Sequence, residues 1–325
     1  MDISSNPVDA TVADKELILR GLYPATVTTF KEDYSVDFAS LEIHLREVAN
    51  ADGVKGLVVN GGVAELLQLT LEEQRQIVEL TRRVVKPGQL VIAGVEGRSA
   101  SAVIEAGLNV KKAGADALLV MPPFDVRAYR RLAADEKSVV SFFSALDKGI
   151  GLPMIVFQYP PQTGVSYSVP ILAQLAKIAN VVGIKAASAR AEVYAELWDA
   201  LHDKLAVLAA VDSPPLYDML MHGSHGALIG ISAVAPEKWG ELLRYTEARD
   251  AAKATALFDK VCRPLMASIF ENQQPVRLTN EGAAMKEALV HLGQIPHSRV
   301  RPPAIDVDEA VSREIRSSLV AAGLL

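Results

Sequence analysis

Eight short apolar runs constrain this chain more than any other feature. A small or polar loop and an amphipathic segment separate each run from the next. The runs fall at 22–29 (LYPATVTT), 54–59 (VKGLVV), 89–95 (QLVIAGV), 117–121 (ALLVM), 153–157 (PMIVF), 181–185 (VVGIK), 205–211 (LAVLAAV) and 226–231 (GALIGI). Runs that are apolar on both faces suit parallel strands covered by helices. Between them lie helical patterns. "TLEEQRQIVELTRRVV" sets Thr70 three residues before Glu73, a capping-box spacing, and puts Ile77, Val78 and Leu80 on an inner face. "SAVIEAGLNVKKAGA", "VPILAQLAKIAN" and "AEVYAELWDALH" have the same form. Eight such units in about 240 residues predict a (β/α)8 TIM barrel. An open doubly wound sheet would want a glycine fingerprint after the first strand, and "YPATVTTFKEDYS" has none. After Thr246 the strands stop. Segments 248–272, 280–292 and 307–324 read as a C-terminal helical extension, with "NQQPVRLTN" and "PHSRVRPPAID" as connectors. The expected division is an N-terminal extension (1–20), the barrel (21–247) and a helical domain (248–325).

Charge and cysteine usage exclude several classes. The balance is 33 basic against 39 acidic residues, net −6, which argues against a nucleic-acid partner or an anionic membrane surface. Cys262 is the single cysteine, so an intrachain disulfide and a cysteine metal cluster are excluded and a reducing compartment fits. The stretch "MDISSNPVDATVADKE" lacks the apolar core of a signal peptide, and no apolar run reaches the length of about 18 residues that a membrane span needs. The expectation is a soluble cytoplasmic protein. The six histidines are scattered, and the one His-x-x-His pair, His222 and His225, is weak as a zinc motif; no metal site is expected.

Lys185 stands out against this background. It ends the sixth run, and the C-terminal ends of barrel strands carry the chemistry of these folds. An ammonium facing an apolar lumen is costly to desolvate, so its pKa falls and a neutral amine becomes able to attack a carbonyl. The competing reading is an ion pair with Glu65 or Asp212, both at strand ends. Asp212 itself, followed by Ser213 and Pro214, reads as the N-cap of the seventh helix.

From about Gly21 to Leu325 the chain resembles the dihydrodipicolinate synthase/N-acetylneuraminate lyase family of Schiff-base barrels. "GLYPATVTTF" looks like the family opening, and "VVNGGVAELLQLT" is similar to its loop after strand two. "AGADALLVMPPF" matches the strand-four segment and "IVFQYPPQTG" the strand-five motif. "VVGIKAAS" matches the lysine strand, and "KEALVHLGQIPHSRVRPP" resembles the C-terminal signature. The resemblance implies that Lys185 forms an imine with a 2-oxo acid. It also implies that the loop Gly61, Gly62, Val63 holds the acid's carboxylate, which paired glycines can do through backbone N–H groups.

The departures are specific. The family's strand-five tyrosine, which relays protons, falls on Phe157. Its two hydroxyl residues after strand two are Gly62 and Val63. The second tyrosine after strand four falls near Phe124 and Asp125, and the arginine that holds an aldehyde's carboxylate is Gln162. Tyr159, two residues past Phe157 and so on the same strand face, is a candidate for the lost relay, against a reading as a ring packed at the rim. Glu65 is a second candidate, and the resemblance gives it mainly a loop-organising role. Asp125 is a third, as a substrate-facing acid. Gly230, on strand eight, would leave room for a substrate chain if it faces the lumen, though packing against a helix explains it nearly as well; Ile231 beside it is a further substrate-binding candidate.

The resemblance therefore implies a lyase (aldolase, dehydratase or deaminase) acting on a 2-oxo acid or a sugar-acid relative through an imine on Lys185. It needs no cofactor, and it implies a homo-oligomer, dimer or tetramer. The alternatives are the 4-hydroxy-tetrahydrodipicolinate synthase reaction itself, joining pyruvate to aspartate semialdehyde, and a barrel that binds 2-oxo acids without turnover.

Overall fold

A computed structural model describes residues 11–15, 17–123, 132–188, 190–270 and 281–325. All eight expected runs form strands: β1 (Gly21–Pro24), β2 (Gly56–Val59), β3 (Leu90–Val95), β4 (Ala117–Val120), β5 (Met154–Gln158), β6 (Val181–Ala186), β7 (Ala206–Ala209) and β8 (Gly226–Ile229). Every pairing is parallel, in the order β1-β8-β7-β6-β5-β4-β3-β2. Bridges from Leu22 to Val54 and from Ala25 to Val58 join β1 to β2 and close the barrel. Most strands are buried throughout, which is why their sequences carry no polar alternation.

The first run outlasts its strand. Beyond Pro24, residues 25–29 form a buried loop at the barrel mouth. Its threonines bond back to the chain: Thr26 to the Val58 carbonyl, Thr28 to Ala64 and Thr29 to Asp37. The apolar pattern marks burial there, not pairing.

Helices α1 (Phe38–Asn50), α2 (Leu71–Val84), α3 (Ala100–Lys112), α4 (Glu136–Ile150), α5 (Val169–Leu175), α6 (Ala191–Leu201), α7 (Pro215–His222) and α8 (Pro236–Glu247) cover the strands. The expected capping box is present: the Thr70 side chain accepts from the Glu73 N–H, and Glu73 reaches back to the Thr70 N–H. Past the barrel, α9 (Ala251–Leu257) runs through a wide turn (Phe258–Cys262) into α10 (Arg263–Ile269), and α11 (Glu281–His291) and α12 (Glu309–Ala321) follow. The connector "NQQPVRLTN" lies outside the described residues, as do Phe124 and Asp125. Leu265, Met266, Leu289, Ile315 and Leu319 bury one apolar core with the barrel. No helix among the described residues is long and apolar enough to cross a membrane.

Candidate active site

A cavity of about 420 Å³ opens at the C-terminal ends of the strands. Strand alternation decides what faces it. The register pairs Ile155 with Gly183 and Phe157 with Lys185, so the lysine and the phenylalanine share one row of the lumen. Leu208 lies beside Lys185 on β7, which sends Ala210 and Asp212 to the same face. Ala25, Gly61, Gly62, Val63, Leu119, Phe157, Tyr159, Lys185, Asp212, Gly230, Phe270 and Glu281 all border the cavity.

Lys185 Nζ sits 3.9 Å from the centre of the Phe157 ring, and the Tyr159 ring stacks on Phe157 with centres 4.1 Å apart and planes inclined 18°. Burial holds the Lys185 ammonium below the usual lysine range, against the opposing pull of Asp212 and Glu281. No carboxylate stands within ion-pair distance of it among the described residues. Tyr159 thus packs on Phe157 and still borders the cavity. Burial, with Glu96 and Glu281 nearby, raises its phenol, and its hydroxyl has no hydrogen-bond partner among the described residues.

The glycine loop meets the cavity directly. A side chain added at Gly61 or Gly62 would touch nothing within 4 Å, and Gly61, Gly62 and Val63 donate no backbone hydrogen bond within the described part of the protein. Their carbonyls are occupied: Gly61 accepts from Ala64 and Leu66, and Gly62 from Glu65. At Gly230 a Cβ would stand 3.1 Å from Val63 and 3.5 Å from the Met285 sulfur, so glycine keeps that wall of the cavity open.

Other expected residues lie elsewhere. Glu65 is not part of the lining. Lys286 Nζ bonds one of its carboxylate oxygens and the Arg301 N–H the other at 2.8 Å, so the loop-organising role is the one its contacts favour over the catalytic one. Lys286 also donates to the Arg299 carbonyl at 2.8 Å, and the Arg301 guanidinium spans Glu73, the Gln68 carbonyl and the Tyr34 carbonyl. Glu65 adopts a left-handed backbone, φ 60°, to make this turn. Gln162 is exposed on a short turn (Pro161–Thr163), away from the lining. The Ile231 side chain is fully buried in the core, and what it offers the site is its backbone N–H.

The reading of Asp212 as a helix cap is corrected. Helix α7 starts at Pro215 after Pro214, with no side-chain cap. Asp212 instead accepts the Ile231 N–H at 2.8 Å on Oδ1 and faces the cavity. Burial pushes its carboxyl up to about 7; the Ile231 N–H and Lys185 pull the other way. The strand period carried to Asp212 would have found it. Glu281, which sequence reasoning missed, borders the cavity from the first turn of α11, where it is exposed to solvent. Glu96, one residue past β3, is a second missed carboxyl, pushed up to about 7 by burial. Nothing local marks Glu281, because only the packing of α11 over the barrel brings it to the lysine.

A parallel barrel with a half-buried lysine at the mouth end of strand six is an arrangement suited to class I, Schiff-base lyase chemistry. Residues 18–322 match the model of the dihydrodipicolinate synthetase family, and the chain belongs to that family. It is 30% identical to a 4-hydroxy-tetrahydrodipicolinate synthase of Phenylobacterium zucineum, over 95% of this chain and 99% of that one. Among solved structures, the dihydrodipicolinate synthase of Acinetobacter baumannii complexed with pyruvate is 27% identical, with a TM-score of 0.83 over 94% of this chain and 100% of the other. The N-acetylneuraminate lyase of Fusobacterium nucleatum shares the fold, with 20% identity and a TM-score of 0.79 over 93% and 98% of the two chains.

Proposed function

We propose that this protein is a Schiff-base lyase that binds a 2-oxo acid as an imine on Lys185. One observation carries the reading: a half-buried amine with no ion-pair partner among the described residues shares a cavity with three backbone N–H groups, at Gly61–Val63, that donate to nothing among those residues. The amine suits a C2 carbonyl and the N–H groups suit the carboxylate beside it. β2 and β6 lie on opposite sides of the barrel, so a 2-oxo acid is gripped from two walls. The iminium then draws electrons from C3, and cleavage of the C3–C4 bond or loss of a leaving group at C4 needs no added cofactor. The relative named above is, by its name, a 4-hydroxy-tetrahydrodipicolinate synthase. For this chain Phe157 beside the amine and the exposed Gln162 favour a different partner from aspartate semialdehyde. Function as a dimer or tetramer in the cytoplasm belongs to the same reading.

Incubation with pyruvate and borohydride is the test. A single mass-shifted adduct on the Lys185 peptide is expected, absent from Lys185→Ala, together with very slow condensation of pyruvate with aspartate semialdehyde. No adduct with any of a panel of 2-oxo acids would sink the reading, and brisk synthase turnover would replace it with the synthase reaction.

A further inference from the structure

We propose that Asp212 is the acid–base residue of imine formation, taking the place that a tyrosine at position 157 would hold; this rests on the Schiff-base reading. Building an imine needs proton transfer. The neutral Lys185 amine adds to C2, its proton passes to the former carbonyl oxygen, and a second proton must reach that oxygen before it leaves as water. Phe157 has no proton to give. Tyr159 has a hydroxyl, but its ring is fixed in a stack on Phe157.

Asp212 meets the requirements from its position. The period of two along β7 puts it on the lumen face, and it borders the same cavity as Lys185. The Ile231 N–H, at 2.8 Å, fixes Oδ1 and holds the carboxyl at the cavity wall. The groups that act on its charge are Lys185 from β6, Glu281 from α11, and the Gly230 and Ile231 amides after β8. A carboxyl held near neutral pH is well placed to give and take a proton.

The step balances. The Lys185 nitrogen forms a bond to C2, the C2–O π pair moves to oxygen, and the nitrogen's proton follows it. Asp212 then protonates that hydroxyl, the C–O bond breaks, water leaves, and the C=N bond forms. What was a neutral amine beside a carboxylic acid becomes an iminium beside a carboxylate. The site keeps its net charge, and the iminium and carboxylate arise as an opposed pair rather than as a lone charge in the lumen. Hydrolysis of the product imine runs the same path backward. Glu281, at the mouth, is placed to exchange that proton with solvent.

Substitution separates this from a structural role. Asp212→Asn keeps an oxygen for the Ile231 N–H and removes the proton. With pyruvate as the probe, the rate of borohydride trapping is expected to fall about 100-fold, while the final adduct still maps to Lys185. Asp212→Glu keeps a carboxyl and is expected to hold the rate within about tenfold of the parent chain. The proposal is overturned if Asp212→Asn traps as fast as the parent chain. Equal losses in both variants, or an Asn variant that does not fold, overturn it too, since each would mark Asp212 as a fixture of the loop. Failure of the unaltered chain to trap any 2-oxo acid sinks the Schiff-base reading itself, a separate result.

Discussion

Lys286 is fully buried and Lys185 half-buried, and each ammonium lies over a phenylalanine ring, 4.4 Å from Phe30 and 3.9 Å from Phe157. Both lose hydration, and burial lowers both, Lys286 to about 8. Their partners differ. Lys286 contacts Glu65 directly, in a pair with side chains 0% and 1% exposed, and adds the Arg299 carbonyl. Lys185 has carboxylates near it but, among the described residues, none in contact. A buried lysine with a bonded carboxylate becomes a clamp; one whose carboxylates stand back keeps a nucleophile's lone pair within reach. Burial alone does not make a catalytic lysine, and the decisive variable is whether a carboxylate closes on it.

Exchanging methionine for each lysine breaks the comparison most sharply. Lys185→Met is expected to abolish the pyruvate–borohydride adduct entirely and leave the fold intact, since Met fills the same apolar row. Adduct formation elsewhere in that variant would contradict it. Lys286→Met strands the buried Glu65 carboxylate, and stability should fall by about 3–5 kcal/mol. The urea midpoint measures this, and Glu65→Gln in the same chain should recover much of the loss. A Lys286→Met chain as stable as its parent would mean the pair is not a clamp.

A smaller effect concerns the stack on Phe157. Tyr159→Phe keeps the ring and removes the hydroxyl. If Asp212 handles the proton of imine formation, trapping should change by less than about threefold; a loss of about 100-fold would return the relay to Tyr159.

The smallest effect is on stability. A carboxyl raised from 3.8 to about 7 on folding contributes stability below its unfolded value and loses it as pH climbs through its folded value. Asp212 therefore costs the folded state most above pH 7. Asp212→Asn should raise the melting temperature at pH 8 and leave it nearly unchanged at pH 4. The gain is on the order of 1 kcal/mol, because Asp212 is partly open to the cavity. Equal melting at both pH values would show that the carboxyl is not desolvated.

The sequence was legible wherever a period repeats. The eight runs, the Thr70–Glu73 cap and the position of Lys185 all follow from local pattern, and each is present in the structure. Phe157 beside the lysine was legible too, because paired strands keep register. What stayed hidden depends on contact across long stretches of chain. Asp212 looked like a helix cap because Ser213 and Pro214 follow it, yet its hydrogen bond goes to Ile231 on the next strand's loop. Glu65 is a strand-end acid by position, but its partners Lys286 and Arg301 stand more than 200 positions away in the chain. Phe270 and Glu281 border the cavity from helices that sequence pattern could only read as appended.

That last placement bears on how such a chain can change over generations. The helices past the barrel look like a detachable module, the kind that truncation or recombination could swap. Yet α11 supplies both the cation that locks the loop after β2 and a wall of the cavity. Anchor and active site are inherited together. A graft that exchanged the C-terminal helices without their lysine would leave the buried Glu65 unanswered beneath the loop proposed to grip a carboxylate, so this boundary is a poor place to cut.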